Sequence, residues 1–263
     1  FGNFIDLIGK IKEKKCMKIG IYAWWNVIQH GRTITAQGAH VVYLRHFLNL
    51  TDGVRLFTTA TDTANEVNKE NLSDSRLDVI NIPWNSWQGA WLHMKQLNNL
   101  LSTNTQGLDA IYVRLFDPCA WLLSPICRSQ AIGLIYHIIG DPIAGIFRRS
   151  DWSLPGKIIR RLMFWPEEQL VLKAARRHCT LINGSELTEI YSRKGLNAET
   201  VISSTLDDSD FFLREDTCTK EHAVILYVGF LRPAKRLDVL IDAVSLLVRE
   251  GRKIILRVVG PGQ

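Results

Sequence analysis

The sequence predicts an α/β protein with a doubly wound parallel sheet, followed by the beginning of a second, smaller unit of the same kind. Short apolar runs, typical of buried strands, alternate with longer stretches of helical spacing. This alternation indicates βαβ units with helices on both faces of a sheet. A polar stretch without periodicity, at residues 207–222, then separates the long first part from one last strand–helix–strand pattern.

The individual elements follow from the spacing of the apolar residues. In the first part, the predicted strands cover residues 17–24, 54–58, 77–82, 108–113, 134–139, 179–183 and 201–204. The predicted helices cover residues 38–49, 86–101, 120–128, 158–177 and 186–193, with a kink expected near Pro166. After the polar stretch come a strand at 223–228, a helix at 237–249 and a strand at 254–259.

We therefore expect four segments. Residues 1–16 form a short amphipathic helix with a basic face, which either packs on the domain or lies on a membrane surface. Residues 17–212 form the first Rossmann-like domain and residues 213–222 a linker. Residues 223–263 begin a second Rossmann-like domain, and one βαβ unit is too short to bury a core of its own.

Composition excludes several classes of protein. The net charge of +6 favours anionic partners, but no basic block with interleaved aromatic residues suggests nucleic acid. Phosphate-bearing small molecules and membrane surfaces are therefore the expected partners. The five cysteines form no CxxC pair, which argues against a disulfide framework and a zinc site. We expect a cytoplasmic protein, with the inner face of the plasma membrane as a second possible location.

The strongest chemical signal lies in the second part. The strand 223–228 ends in Gly229, and the short loop that follows carries Arg232, Lys235 and Arg236 before a helix begins. Three cations at a strand-to-helix turn fit a site for a diphosphate, because backbone N–H groups and cations converge there. A solvated basic loop would show the same composition, so the residues alone leave both interpretations open.

This segment resembles the opening of the second domain in group-one, family-four glycosyltransferases of the GT-B fold. Their pattern is V-G-R-L-x-P-x-K-G-x-D-x-L-I-x-A, followed by a strand that ends in V-G-x-G. The matching residues are Gly229, Pro233, Lys235, Asp238, Leu240, Ile241, Ala243, Gly260 and Gly262. Two positions depart from the pattern, since Phe230 replaces the usual Arg and Arg236 replaces the usual Gly. We expect Arg232 to substitute for the missing Arg.

The resemblance covers roughly residues 17–263. Gly38, in a Gln-Gly-Ala turn after the first strand, is similar to the family's glycine loop near the donor phosphates. Asp141 lies in a Gly-Asp-Pro sequence that some polysaccharide-assembly members share, and Ser185 lies where the family places a helix start near the cleft. The resemblance thus implies donor-phosphate binding by Lys235, Arg232, Gly38 and Gly229.

The candidates for contacting an acceptor follow strands of the first domain, where ligands of parallel sheets bind. They are Asp141, His137, Arg114, Asp117 and Ser185. Each has a plainer alternative. His137 shares a strand face with Ile139 and is equally a packed core residue. Ser185 is also interpretable as a helix cap, and Arg114 with Asp117 as a surface ion pair.

By resemblance, the enzyme transfers a sugar from a nucleotide-diphosphate sugar to a hydroxyl acceptor in polysaccharide or glycolipid assembly. The reaction is expected to retain anomeric configuration and to need no metal or other cofactor. The Asp208-Ser209-Asp210 sequence lies in the polar stretch before the second unit, so we do not expect it to bind metal. The family's paired glutamates should lie beyond Gln263, so we expect the present stretch alone to be inactive.

Two other functions remain open. One is a non-catalytic glycosyltransferase-like binding module, which the departures at Phe230 and Arg236 favour. The other is an epimerase that acts on free sugar nucleotides. The predicted helix at 158–177 combines basic and large apolar residues. Two interpretations of this helix stay open: docking on an anionic membrane to reach a lipid-linked acceptor, or a solvated helix face.

Overall fold

The computed structural model describes residues 17–31, 33–61, 69–148, 152–206, 210–213, 215, 222–231 and 235–260. The predicted helix at 1–16, Arg232, Gly262 and the first two residues of the Asp208-Ser209-Asp210 sequence lie outside the described residues. The chain divides into two compact units, one formed by residues 1–147 with 151–205 and the other by residues 148–150 with 206–263.

The first unit is built on a parallel sheet of seven strands in the order β10-β9-β8-β7-β1-β4-β6. β1 lies in the interior, and the chain runs to one side through β4 and β6 and to the other side through β7 to β10. The switch point between β1 and β7 is where such sheets bind ligands. The strands of this unit are β1 Lys18–Tyr22, β2 Ile28–His30, β3 Thr33–Gln37, β4 Gly53–Thr58, β5 Lys69–Ser73, β6 Leu77–Asn81, β7 Ala110–Leu115, β8 Gly133–Ile138, β9 Cys179–Asn183 and β10 Glu199–Val201.

Helices cover both faces of this sheet, which confirms the doubly wound prediction. Alternate residues of a strand face opposite sides. Thus Ile21 of β1 belongs to one buried cluster and Tyr22 to the other. The helices are α1 Gly38–Leu50, α2 Trp87–Leu92, α3 Met94–Asn104, α4 Leu123–Ser129, α5 Pro142–Arg148, α6 Leu154–Ala175 and α7 Ser185–Arg193. The cluster with Ile21 lies under α1, and the cluster with Tyr22 lies under α3, α4, α6 and α7.

The structure corrects several predicted elements. The helix expected at 86–101 is two helices, because His93 leaves the helical conformation with φ −107° and ψ 26° between α2 and α3. An antiparallel sheet of β2, β3 and β5 and the short helix α5 were not predicted. The last strand of the first unit is 199–201 rather than 201–204. Pro166 lies inside α6, which is assigned as one helix across that position.

The second unit has the predicted strand–helix–strand order, with β11 Ala223–Val228, α8 Leu237–Arg249 and β12 Ile254–Val259 at the expected bounds. The two strands pair in parallel, from Ala223 opposite Ile254 to Val228 opposite Val259. No residue of α8 is buried. Large apolar side chains on all three elements are exposed, among them Leu226 (60%), Val228 (70%) and Leu246 (59%).

Candidate functional site

The loops that follow β1 and β7 meet at the switch point of the first sheet. The backbone N–H of Trp24 donates a hydrogen bond to Asp117 Oδ2 at 3.0 Å. The hydroxyl of Tyr22, the last residue of β1, donates to the carbonyl of Pro118 in the β7 loop. These two bonds join segments that lie more than ninety residues apart in sequence and fix where Asp117 stands.

Asp117 has the acid–base properties that a site at neutral pH uses. Burial raises the pKa of its carboxyl to about 7, whereas the Trp24 N–H and the charge of Arg114 act to lower it. A carboxyl with such a pKa exchanges protons readily near pH 7. The prediction that Asp117 follows a strand is confirmed, since β7 ends at Leu115. Asp117 accepts a hydrogen bond from the Trp24 N–H, and in the described part of the chain it forms no ion pair with Arg114.

A buried glutamate of α6 hydrogen-bonds the loop that follows β7, called the β7 loop here. Glu167 is fully buried, and its carboxylate accepts hydrogen bonds from the Cys119 N–H at 2.8 Å and the Trp121 indole at 3.2 Å. Cys119 has a left-handed backbone, with φ 56°, directly after the loop that carries Asp117. Glu167 therefore holds the end of that loop in a conformation that a non-glycine residue seldom adopts.

Glu167 was not among the predicted site residues, although its position on the apolar stripe of α6 indicates burial. Glu167 and Glu168 precede Val171 and Leu172 by one turn, so both carboxylates lie on the apolar stripe of the helix. Glu168, whose side chain is 2% exposed, is balanced by Lys194 at 2.8 Å and Arg161 at 3.3 Å. In contrast, the Glu167 carboxylate accepts its hydrogen bonds from Cys119 and Trp121 through neutral N–H groups.

Arg114 lies among aromatic rings on the face of the sheet that α1 covers, opposite to the face on which α6 packs. Its guanidinium carbon is 5.9 Å from the ring centroid of Trp25 and 6.0 Å from that of Tyr43. Trp25 also stacks on His40, with ring centroids 4.5 Å apart and an interplanar angle of 8°. Trp25 and His40 were not among the predicted site residues, although Trp25 directly follows the predicted first strand and that position could have indicated it.

His137 is a core residue in the structure. It is 4% exposed, and its Nδ1 hydrogen-bonds the hydroxyl of Tyr112 on the neighbouring strand. Burial, and then the charge of Arg114, lower the pKa of the imidazole to about 4, so the ring is neutral at pH 7. A small cavity of about 20 Å³, lined on one side by His137 and Tyr112, has room for no more than a single water.

The remaining candidates of the first unit have local structural roles. Asp141 Oδ1 accepts from the N–H groups of Ile143 (2.9 Å) and Ala144 (3.1 Å), and it thus caps α5. Ser185 is not the cap of α7, contrary to the plainer interpretation. Gly184 is the cap, with φ 85°, and Ser185 is exposed in the first turn. Gly38 starts α1 as predicted, but the β2–β3 hairpin separates it from β1.

In the second unit, Gly229 and Gly260, two of the glycines that match the family pattern, lie where the two strands end. A side-chain carbon on Gly260 would lie 1.8 Å from the Gly229 carbonyl oxygen, so the close approach of the two backbones excludes any larger residue. Arg236, which replaces the family's glycine, has a left-handed backbone with φ 51° and ψ 41° at the start of α8. The usual glycine at this position is thereby explained by backbone conformation.

Lys235 directly precedes Arg236 and is exposed. It makes no hydrogen bond or ion pair with any residue that the structure describes, so its ammonium group is available to a ligand. Within the same described ranges, no group of three or more His, Cys, Asp and Glu residues is arranged to hold a metal ion. Nor does any helix of those ranges combine the length and hydropathy needed to cross a bilayer.

No protein-family model matches the sequence, and no curated protein does either. Solved structures do align with it. Arabidopsis thaliana UGT89C1 complexed with UDP-L-rhamnose is 16% identical at a TM-score of 0.45, over 94% of this chain and 70% of that chain. Glycyrrhiza uralensis UGT73P12 complexed with glycyrrhetinic acid 3-O-monoglucuronide is 11% identical at a TM-score of 0.46, over 94% and 69%.

A UDP-glucosyltransferase from Polygonum tinctorium capable of glucosylating indoxyl aligns at 9% identity and a TM-score of 0.37, over 94% of this chain and 72% of that chain. All of these TM-scores are low. The fold class therefore rests on the strand order and the parallel register of the chain itself.

Proposed function

We propose that this chain belongs to a GT-B glycosyltransferase, which moves a sugar from a nucleotide-diphosphate sugar to a hydroxyl acceptor. The observation that carries the proposal is the second unit. Its sequence matches the family pattern at nine positions, and its two strands and its helix fall at the expected bounds. The left-handed backbone at Arg236 and the close approach of Gly260 to Gly229 give physical reasons for two of the family's glycines.

In the proposed reaction, the bond between the anomeric carbon and the diphosphate breaks and the acceptor hydroxyl replaces the phosphate oxygen. Negative charge builds up on the leaving diphosphate, and the Lys235 ammonium stabilises that charge together with Arg232 and the backbone N–H groups near Gly229. Gly38, the first residue of α1, remains a candidate for the same role. We propose that the reaction retains configuration and needs no metal.

The switch point of the first unit is the proposed acceptor side. Asp117, Arg114 and the loop after β1 lie at the carboxyl edge of the sheet, and ligands of doubly wound sheets bind at that edge. The pKa of about 7 for the Asp117 carboxyl allows it to accept a proton from an acceptor hydroxyl. His137 has no such role, because it is buried in the core.

A donor screen with the full-length protein tests the proposal. The protein is incubated with several sugar nucleotides, and release of the nucleoside diphosphate is measured with and without candidate acceptors. We expect release from one donor or a few related donors. Tight binding without turnover would instead identify a non-catalytic module, and interconversion of the donor sugar without an acceptor would identify an epimerase.

We further propose that α6 rests on an anionic membrane at the inner face of the cell membrane and gives access to a lipid-linked acceptor. Ile159, Leu162, Met163 and Trp165 are 58%, 67%, 60% and 53% exposed. Lys157 and Arg160 flank these apolar groups, whereas the charge of Arg161 is paired with Glu168. Apolar residues bordered by cations are typical of helices that lie in the interface of an anionic bilayer.

Leu162→Glu should weaken binding to phosphatidylglycerol-containing vesicles by about tenfold, because it replaces an apolar contact with the bilayer by a charge that the anionic lipid repels. Co-sedimentation measures the effect. Leu213→Glu is the matched control, since Leu213 is fully exposed outside α6. Equal loss in both variants would show that only net charge matters. Absence of binding by the wild-type protein would contradict the membrane proposal.

A further inference from the structure

Arg114 is held in a defined position, and no acidic residue in the described part of the chain forms an ion pair with it. It is the register partner of His137 on the neighbouring strand, so the two side chains stand side by side on the face covered by α1. The rings of Trp25 and Tyr43 flank its guanidinium. Among the described residues, Arg114 forms no ion pair and no hydrogen bond. Aromatic faces orient a guanidinium but leave its N–H groups without acceptors.

The groups around Arg114 leave its charge uncompensated near pH 7. Asp117, three residues further along the chain, hydrogen-bonds Trp24, and its raised pKa of about 7 leaves it only partly ionised. Burial, followed by the charge of Arg114, lowers the pKa of His40 and of His137 to about 4, so both rings are neutral. The site is therefore a partly buried cation among largely neutral groups, an arrangement that an anion stabilises.

Two further features point to a ligand at the same place. The N-terminus of α1 has no acidic residue in its first turn and no side-chain cap, and His40 of that turn stacks on Trp25. A helix of this length presents partial positive charge at its N-terminus. In addition, Nε1 of Trp25, the ring beside Arg114, has no partner among the described residues, although Trp25 is only 8% exposed.

We propose that Arg114, with the Trp25–His40 stack, binds an oxyanion group of the acceptor, so that the acceptor is an acidic saccharide. The planar guanidinium fork suits a carboxylate or phosphate, which it binds through two parallel hydrogen bonds. The aromatic rings beside it offer apolar faces on which a sugar ring packs. The identification of the ligand as an acceptor rests on the proposed function; the presence of an oxyanion site at Arg114 does not.

Calorimetric titration of the full chain tests this inference with three probes: glucuronate, glucose and UDP. Glucuronate should bind wild-type protein more tightly than glucose, because only glucuronate has a carboxylate. Arg114→Gln should weaken glucuronate binding by about tenfold or more. Arg114→Lys, which keeps the charge but loses the fork, should weaken it by several-fold. Arg193→Gln, at an exposed surface pair, should leave it unchanged. UDP binding should be the same in all four proteins.

Several outcomes overturn the inference. One is equal glucuronate affinity in the wild-type and Arg114→Gln proteins; another is equal affinity of wild type for glucuronate and glucose. Loss of UDP binding alone in Arg114→Gln would assign the site to the donor phosphates instead. If Arg114→Gln fails to fold, unchanged glucuronate affinity in Arg114→Lys overturns the role of the fork. A chain that binds glucuronate through Arg114 but no nucleotide sugar would refute the proposed function and support the oxyanion site.

Discussion

Lys235→Ala is expected to slow glycosyl transfer by the full-length enzyme by about two to three orders of magnitude at saturating donor. The ammonium group lies exposed at the entrance of α8, so packing does not require it. Its charge acts on the diphosphate, and that interaction strengthens as the glycosidic bond breaks, so the loss should fall mainly on kcat. An exposed Lys→Ala change usually alters the free energy of unfolding by about 0.5 kcal/mol or less.

Arg252→Ala is the control for this measurement. It also removes a cation from an exposed position of the second unit, but it lies before β12, at the end of the strand pair opposite to Gly229. Its turnover should equal that of wild type. Arg232→Ala should show a smaller loss than Lys235→Ala if Arg232 takes the role of the family's Arg that Phe230 replaces. Turnover of Lys235→Ala within about threefold of wild type would remove the central residue of the proposed site.

Glu167→Ala is expected to lower the free energy of unfolding by about 3 kcal/mol. The change leaves the buried Cys119 N–H and Trp121 indole without acceptors, and each unsatisfied donor costs about 1–3 kcal/mol. Urea denaturation measures the loss. The control is Glu189→Ala, an exposed glutamate of α7, which should change stability by less than about 0.5 kcal/mol. Similar losses in both variants would refute the role of Glu167 in holding the β7 loop.

The pH dependence of stability gives a second test of Glu167. Burial raises its pKa in the folded state to about 7, above that of an unfolded glutamate, so the folded protein holds the proton more tightly. The resulting stabilisation is complete below about pH 4 and is lost as the pH rises to 7. Asp117 titrates in the same window. Glu167→Gln should therefore reduce, without abolishing, the fall in stability between pH 5 and pH 7. An unchanged slope would contradict the assigned pKa.

The sequence predicted most strands because strands of parallel sheets are apolar on both faces, and such runs leave a plain signal. The runs at 179–183, 223–228 and 254–259 are apolar or β-branched except for Asn183 and Arg257, and the structure places strands at those bounds. The β2–β3 hairpin gave no such signal. Its residues, such as Gln29 and Thr33, are polar and partly exposed, and its pairing with β5 depends on contacts distant in sequence.

The candidate site was predictable only in part. Alternation along β8 correctly separated His137 from Tyr136, which belong to opposite faces of the sheet. The position of Asp117 after a strand was also correct. The hydrogen-bond partner of Asp117 was not predictable, since the Trp24 N–H comes from a loop more than ninety residues earlier. The Trp25–His40 stack likewise depends on how α1 lies over the sheet, which spacing along one helix does not encode.

The interior position of β1 has a consequence for how the chain folds as it is made. Ile19 pairs with Val54 of β4 on one side and with Ala110 of β7 on the other. At a synthesis rate of about 5–20 residues per second, β7 emerges several seconds after β4 is complete. Throughout that interval one edge of β1 presents unpaired N–H and carbonyl groups, a template for pairing with other chains. During those seconds the open edge of β1 in the nascent chain must be protected from pairing with a second copy.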